Sequence, residues 1–365
     1  MSSVIPILDP NLLSIKDKVE AQERLSFEDA MILAASNDLC ALGMLASMVR
    51  ERLNGNHCYY NINRHIDYSN VCVANCSFCA FSREPGEEGG WTYSLEEIFR
   101  KAEEECPAGC TELHIVGGLH PDLPLEYYED MLRGLRERLP HLHLKAFTAT
   151  ELHHMAQLAG LPVRETIRRL TLAGLGSLPG GGGEVFEENL RKKLAGNKAD
   201  AKTWLAVHRI AHEEGLKSNC TMLYGHLETW PDRIRHMIAL RELQDETCGF
   251  QAFIPLAFHP KNSQLSHLKG PSGLTDLKVM AISRLMLDSI PHIKAYWVML
   301  GMKMAQVALA FGADDLDGTV VEETIFHMAG GETPQQLGVA DIERMIREAG
   351  RIPVQRDTLY QPIPA

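Results

Sequence analysis

Apolar positions over the first ~55 residues recur three and four apart, the spacing of helices with one buried face. One such helix opens at Leu25-Ser26-Phe27-Glu28-Asp29, with Ser26 as N-cap and Asp29 at N3 facing the exposed N–H groups. A second helical run covers 39–53. After that, short strand-like runs alternate with helical stretches. The predicted strands are 58–67, 112–117, 143–148, 175–178, 217–223, 250–256, 293–298 and 314–317. Among the helices, one starts at the capping box Ser94-Leu95-Glu96-Glu97 and one covers 200–214 and stops at Gly215. Two more start near Pro231, just after Thr229, and at Thr275. Eight strands with helical crossovers predict an α/β fold, a closed (β/α)8 barrel of the TIM type. A doubly wound sheet is the alternative, but the alternation shows no switch point. The expected organisation is an N-terminal helical extension (1–56), the barrel (57–330) with a cysteine-bearing loop at 70–83, and a C-terminal helix and tail (331–365).

On the first strand, Asn61, Asn63, His65 and Asp67 share one face at period two. That face is expected to line the barrel near its mouth; a solvated edge strand is the other reading. The formal net charge of −12 argues against nucleic acid and against an anionic membrane surface as partners. The opening residues Met1–Pro6 carry no basic-then-apolar leader pattern, and no apolar run is long enough to span a bilayer. Nine cysteines over 365 residues, an odd number, argue for a reducing compartment such as the cytoplasm.

Three of those cysteines follow the first strand directly, in Cys72-Val73-Ala74-Asn75-Cys76-Ser77-Phe78-Cys79. Three thiolates at C-x3-C-x2-C spacing can hold three irons of a cubane cluster and leave the fourth iron open for a substrate. A zinc site would need a fourth ligand, for which His65 is a candidate. Cys106 and Cys110 fall between the first barrel helix and the second strand, at the bottom of the barrel. Cys58 and Cys248 precede strands, Cys220 is mid-strand, and Cys40 is in the N-terminal helices. A second cluster is not needed.

C-x3-C-x-aromatic-C after the first barrel strand resembles the radical S-adenosylmethionine (SAM) superfamily. The resemblance implies a [4Fe–4S] cluster on Cys72, Cys76 and Cys79, whose open iron chelates SAM, with Phe78 beside the adenine. It implies that Gly117-Gly118 meet the amino group of the SAM methionine; Leu119 stands where an acidic residue often follows. Thr221 to Glu228 resembles the second half of the superfamily's G-x-I-x-G-x-x-E pattern and puts Tyr224, Gly225 and Glu228 at the SAM site. Thr148, Gly180 and Gly181, at the ends of the third and fourth strands, join them as cofactor-binding candidates. The glycine run is not a dinucleotide fingerprint, because Gly174-Leu175-Gly176 precedes its strand.

The likeness extends along the chain. Cys79-Ala80-Phe81-Ser82-Arg83, His114 to Pro121, Lys145 to Ala149 and Ser177 to Gly182 resemble the futalosine-pathway and deazaflavin-synthase branch. Phe253 to Pro260, Ile293 to Gly301 and Gly312 to Thr319 are similar to the aminodeoxyfutalosine synthase family in particular. That family serves menaquinone biosynthesis. Its members add the 5′-deoxyadenosyl radical of SAM to 3-[(1-carboxyvinyl)oxy]benzoate; aryl migration and loss of the carboxylate carbon give 6-amino-6-deoxyfutalosine. SAM is then consumed, and an electron donor such as flavodoxin or ferredoxin is implied. For a substrate with two carboxylates, Arg83 is the first candidate partner, with His65 and His259 as further catalytic candidates at strand ends. Dehypoxanthine futalosine cyclase, a deazaflavin synthase subunit, and an iron–sulfur carrier or sensor remain as alternatives.

Overall fold

The computed structural model describes residues 7–104 and 106–364; Met1–Pro6, read above for a leader, lie outside the described residues. Three helices come first: α1 (Leu12–Ala21), α2 (Phe27–Ala35) and α3 (Leu39–Asn54). The reciprocal capping box of Ser26 and Asp29 starts α2. The barrel follows with strands β1 (His57–Asn61), β2 (Asn63–Asp67), β3 (Glu112–Val116), β4 (His143–Ala146), β5 (Ser177–Leu178), β6 (Lys217–Tyr224), β7 (Phe250–Ala257), β8 (His292–Ile293) and β9 (Asp315–Gly318). Between them lie α4 (Leu95–Glu104), α5 (Leu125–Arg138), α6 (Ala149–Ala159), α7 (Val163–Ala173), α8 (Glu188–Ala195), α9 (Ala201–Glu213), α10 (Trp230–Thr247) and α11 (Gly273–Met286).

Strands β2 to β8 form one parallel seven-stranded sheet in sequence order; β1 lies between β9 and a further strand, β10 (Ile352–Gln355), in a second sheet. Parallel bridges from Lys294 to Asp315 and from Arg64 to Val321 join the two sheets. The eight-stranded barrel therefore closes, with its first strand interrupted. The strand expected over 58–67 breaks at Ile62 because side-chain bonds replace the ladder there. Asn63 Oδ1 accepts from the Val320 N–H at 2.9 Å, and the Asn63 N–H donates to Thr319 Oγ1 at 3.1 Å.

Three other expectations need correction. The strand expected at 175–178 is only Ser177–Leu178. The strand expected over 293–298 ends at Ile293, and the chain turns into a short helix, α12 (Trp297–Leu300). Trp297 anchors that turn, fully buried with its indole N–H on the Gly318 carbonyl at 2.9 Å. The C-terminal segment holds the helix Val339–Glu348 but also β10, whose Pro353 hid its strand character. Proline is tolerated because β10 is an edge strand.

The barrel interior is charged. Lys145 pairs with Glu112 at 2.7 Å, Lys294 with Asp317 at 2.8 Å, and Arg356, beyond β10, with Asp315 at 2.7 Å. Each cation meets a carboxylate, which offsets the cost of burying it. Among the described residues no helix is long and apolar enough to cross a membrane.

Candidate active site

The strand ends and mouth loops enclose a cavity of about 340 Å³, and Asp317 of the Lys294 pair is part of its lining. Cys72, Cys76, Phe78 and Cys79 all line it, as do Gly117, Gly118, Thr148, Gly180, Gly181, His65 and His259. The fold thus brings together most of the residues singled out from the sequence.

The cysteine loop is pinned from three sides. The Cys72 N–H bonds the Arg83 carbonyl at 2.9 Å, the Val73 N–H bonds the Leu119 carbonyl at 3.0 Å, and the Ser77 N–H bonds the Leu194 carbonyl of α8 at 2.8 Å. Gly118 lets β3 come this close: a Cβ there would stand 2.2 Å from the Val71 carbonyl oxygen. Gly180 does the same against β6, where a Cβ would lie 2.7 Å from Cys220 Cα.

Two of the three sulfurs accept hydrogen bonds. The Ala74 and Leu119 N–H groups reach Cys72 Sγ at 3.4 and 3.3 Å, and the Ser82 N–H reaches Cys79 Sγ at 3.4 Å. Such bonds stabilise thiolate and tune cluster potentials. Burial pushes the Cys76 thiol up to about 12, with Lys198 pulling the other way. Among the described residues no three His, Cys, Asp or Glu side chains converge as they would around one ion. In a cubane each thiolate has its own iron, so three thiols that do not converge on one point, two of them with N–H donors, fit that group.

Four of the expected site residues lie elsewhere. Arg83 does not line the cavity: its Nη1 donates to the carbonyls of Ser82 at 2.8 Å and Ala80 at 3.1 Å, and Nε lies 3.8 Å from Glu87. It closes its own loop, because the backbone after Cys79 turns its carbonyls back toward it. Tyr224, Gly225 and Glu228 also lie off the cavity. The Tyr224 hydroxyl bonds Asp276 of α11 at 2.8 Å. The Glu228 carboxylate accepts from the Gly225 N–H at 2.5 Å and the His226 N–H at 2.9 Å and pairs with Arg233. This motif shapes the turn after β6. His259 lines the cavity, but its Nε2 is engaged with the Met299 carbonyl at 2.9 Å.

Other lining residues were not anticipated. Glu151 caps α6 and collects four donors: the Thr148 N–H and hydroxyl on one oxygen, the Gly117 N–H and Tyr68 hydroxyl on the other. Burial nonetheless pushes its pKa up to about 7. The Thr148-x-x-Glu151 capping box was legible and could have revealed it. Glu184 and Lys198 pair at 2.6 Å, and Lys198 Nζ lies 5.6 Å from the Phe78 ring centre. Burial alone would lower the lysine; the Glu184 carboxylate and the Cys76 thiol outweigh it and hold the ammonium above its usual range. His114 and Asn219 line the inner part.

The arrangement has counterparts among known proteins. Residues 66–240 match the model of the Radical SAM superfamily, and residues 247–365 match that of the CofH/MqnC C-terminal region. The hydrogenase maturase HydG from Carboxydothermus hydrogenoformans shares the fold, with a TM-score of 0.74 at 19% identity over 95% of this chain and 80% of that one. An enzyme from Methanopyrus kandleri, 5-amino-6-(D-ribitylamino)uracil–L-tyrosine 4-hydroxyphenyl transferase, is 41% identical over 87% of this chain and 88% of its own. The aminodeoxyfutalosine synthase of Thermus thermophilus is 47% identical over 98% of this chain and 97% of its own. A likeness of that depth leaves no part of the barrel unmatched, and the chain belongs to the radical SAM superfamily, in the family of the aminodeoxyfutalosine synthases.

Proposed function

We propose that this enzyme catalyses the aminodeoxyfutalosine synthase reaction of menaquinone biosynthesis. In that reaction the 5′-deoxyadenosyl group of SAM adds to the enol-ether carbon of 3-[(1-carboxyvinyl)oxy]benzoate. Aryl migration and loss of the carboxylate carbon complete it. The observation that carries this reading is the 47% identity to a protein of that name over nearly the full length of both chains.

Members of the radical SAM superfamily use a [4Fe–4S] cluster and SAM. The cluster, when bound, supplies the electron that cleaves the sulfonium. In this reading Cys72, Cys76 and Cys79 would hold it, with the N–H donors to Cys72 and Cys79 easing the negative charge on those two sulfurs. Phe78 would pack beside the adenine. Gly117 and Gly118 would admit the methionine end, and Thr148, Gly180 and Gly181, which line the same cavity, would complete the SAM site. Leu223, Ile254, Leu256 and Phe258 give the cavity apolar walls, which suit an aryl ring and keep water from a reactive carbon. A small one-electron donor such as flavodoxin or ferredoxin is the protein partner. Nine free cysteines suit a reducing compartment, the cytoplasm.

The second reading is tyrosine aryl transfer, favoured by the 41% identity to the Methanopyrus enzyme. Incubating reduced, cluster-loaded protein with SAM and the enol ether, and reading products by mass spectrometry, separates the possibilities. The expected result is the adenosyl group in the large product with an equal amount of methionine. Free 5′-deoxyadenosine as the dominant stoichiometric product would indicate hydrogen abstraction and the cyclase. Turnover only with tyrosine and the aminouracil would establish the transferase.

A further inference from the structure

His65 of β2 and His114 of β3 are in register across the parallel ladder. Their rings stack with centroids 4.4 Å apart and planes 11° from parallel. Both line the cavity at its inner end. His65 is only 7% exposed, and its Nε2 makes no hydrogen bond. The carboxylate oxygen nearest His114 is Glu112 Oε1 at 3.9 Å, beyond hydrogen-bond reach. Buried polar atoms are almost always partnered in proteins. An unpartnered imidazole nitrogen at the end of a ligand cavity therefore points to a polar group on the ligand.

The charges nearby identify that group. Lys145 and Lys294 are each committed to a carboxylate, as is Arg356. The one Lys or Arg among the described lining residues is Lys198, engaged with Glu184 beside the Phe78 ring. A substrate with two carboxylates must place at least one where no lysine or arginine is free, and only the imidazoles there can gain a positive charge. Burial keeps His65 below its ordinary range, although Asp317, Glu323 and Glu112 pull it up, while Lys145 pulls it down. His114 is lowered by burial, then by His65 and Lys145, against Glu112 and Asp317. An incoming anion favours one proton on the pair, whereas two would repel across the stack.

We propose that His65 and His114 form a subsite that receives a carboxylate of the substrate and takes up one proton as it binds. This rests on the reading of the substrate as a dicarboxylate. The test is calorimetric titration of cluster-loaded protein with SAM and the enol ether, without reductant so that nothing turns over, in buffers of different ionisation enthalpy. The wild type should take up close to one proton per substrate bound near neutral pH. His65→Asn and His114→Asn should each weaken substrate binding at least tenfold and lose the uptake, with SAM affinity unchanged. Replacing the relevant substrate carboxylate by carboxamide should cost the wild type a similar factor and cost His65→Asn little more. Tight, uptake-free binding by the wild type, or equal penalties for both monoamides in wild type and variant, would overturn the subsite. Failure of the wild type to bind the enol ether at all would instead reject the substrate reading, and the subsite with it.

Discussion

Lys198 donates to Glu184 at 2.6 Å, with both side chains largely withdrawn from solvent and the lysine beside the Phe78 ring. Their pKa directions agree: after the opposing effect of burial, the partner charge raises the lysine and lowers the glutamate. Removing one partner leaves an uncompensated charge, which costs about 3–5 kcal/mol in buried pairs. Glu184→Gln should therefore destabilise the fold strongly, and Glu184→Gln with Lys198→Met should recover most of the loss. Denaturant unfolding of the two variants checks this. Equal stability of single and double variants would show that the pair is solvated in solution.

Cys72→Ala, Cys76→Ala and Cys79→Ala should each abolish SAM cleavage and reduce iron content. Cys106→Ala and Cys110→Ala should leave both largely intact, because these residues precede β3 at the far end of the barrel from the loop that carries the other three. Methionine release under reductant measures the first effect, and iron and sulfide analysis after reconstitution the second. Loss of the cluster in Cys106→Ala would contradict this placement.

The sequence and the fold meet most closely where a function is local. Three thiols within eight residues are visible as a set, because one loop makes them neighbours. Gly118 and Gly180 are legible for a similar reason: each permits a backbone approach at the end of its own strand. Lys198 and Glu184 are different, since fourteen positions and a helix separate them and only the return of the chain past α8 makes them partners. His114 looked like one more residue in a strand motif until parallel register set it against His65. Arg83 misled because four residues from a ligand is close enough to reach the cavity. A side chain in a tight loop is equally close to its own carbonyls, and those satisfied it first.

Arg83 consequently carries a different expectation from the one its position suggested. Its guanidinium is held by backbone oxygens of its own loop, about a quarter exposed, and faces Glu87 outside the cavity. Arg83→Ala should lower stability by about 1 kcal/mol, the typical value of such hydrogen bonds. Its kcat/KM, normalised to cluster content, should stay within about threefold of wild type, since no transition-state contact is lost. A loss of a hundredfold at normal cluster content would place the side chain on a ligand after all.

Glu151 should give the protein without SAM a pH signature. Its carboxyl is buried at the cavity wall, and burial raises its pKa from 4.5 to about 7 despite four hydrogen-bond donors. Between those values the folded state holds a proton that the unfolded state has released. Stability contributed by this group is then fully present below pH 4.5 and is lost as the pH rises toward 7. At 1.36 kcal/mol per unit, the loss is about 3 kcal/mol. Glu151→Gln removes the titration but turns an amide N–H₂ toward groups that themselves donate, so it should be less stable than wild type at low pH. The two stability curves should converge between pH 4.5 and 7, the wild type falling and the variant not. Urea unfolding at half-unit steps of pH measures the slopes. Parallel curves would mean that the four donors keep Glu151 ionised, and its carboxylate would then stand as a fixed negative charge at the cavity wall.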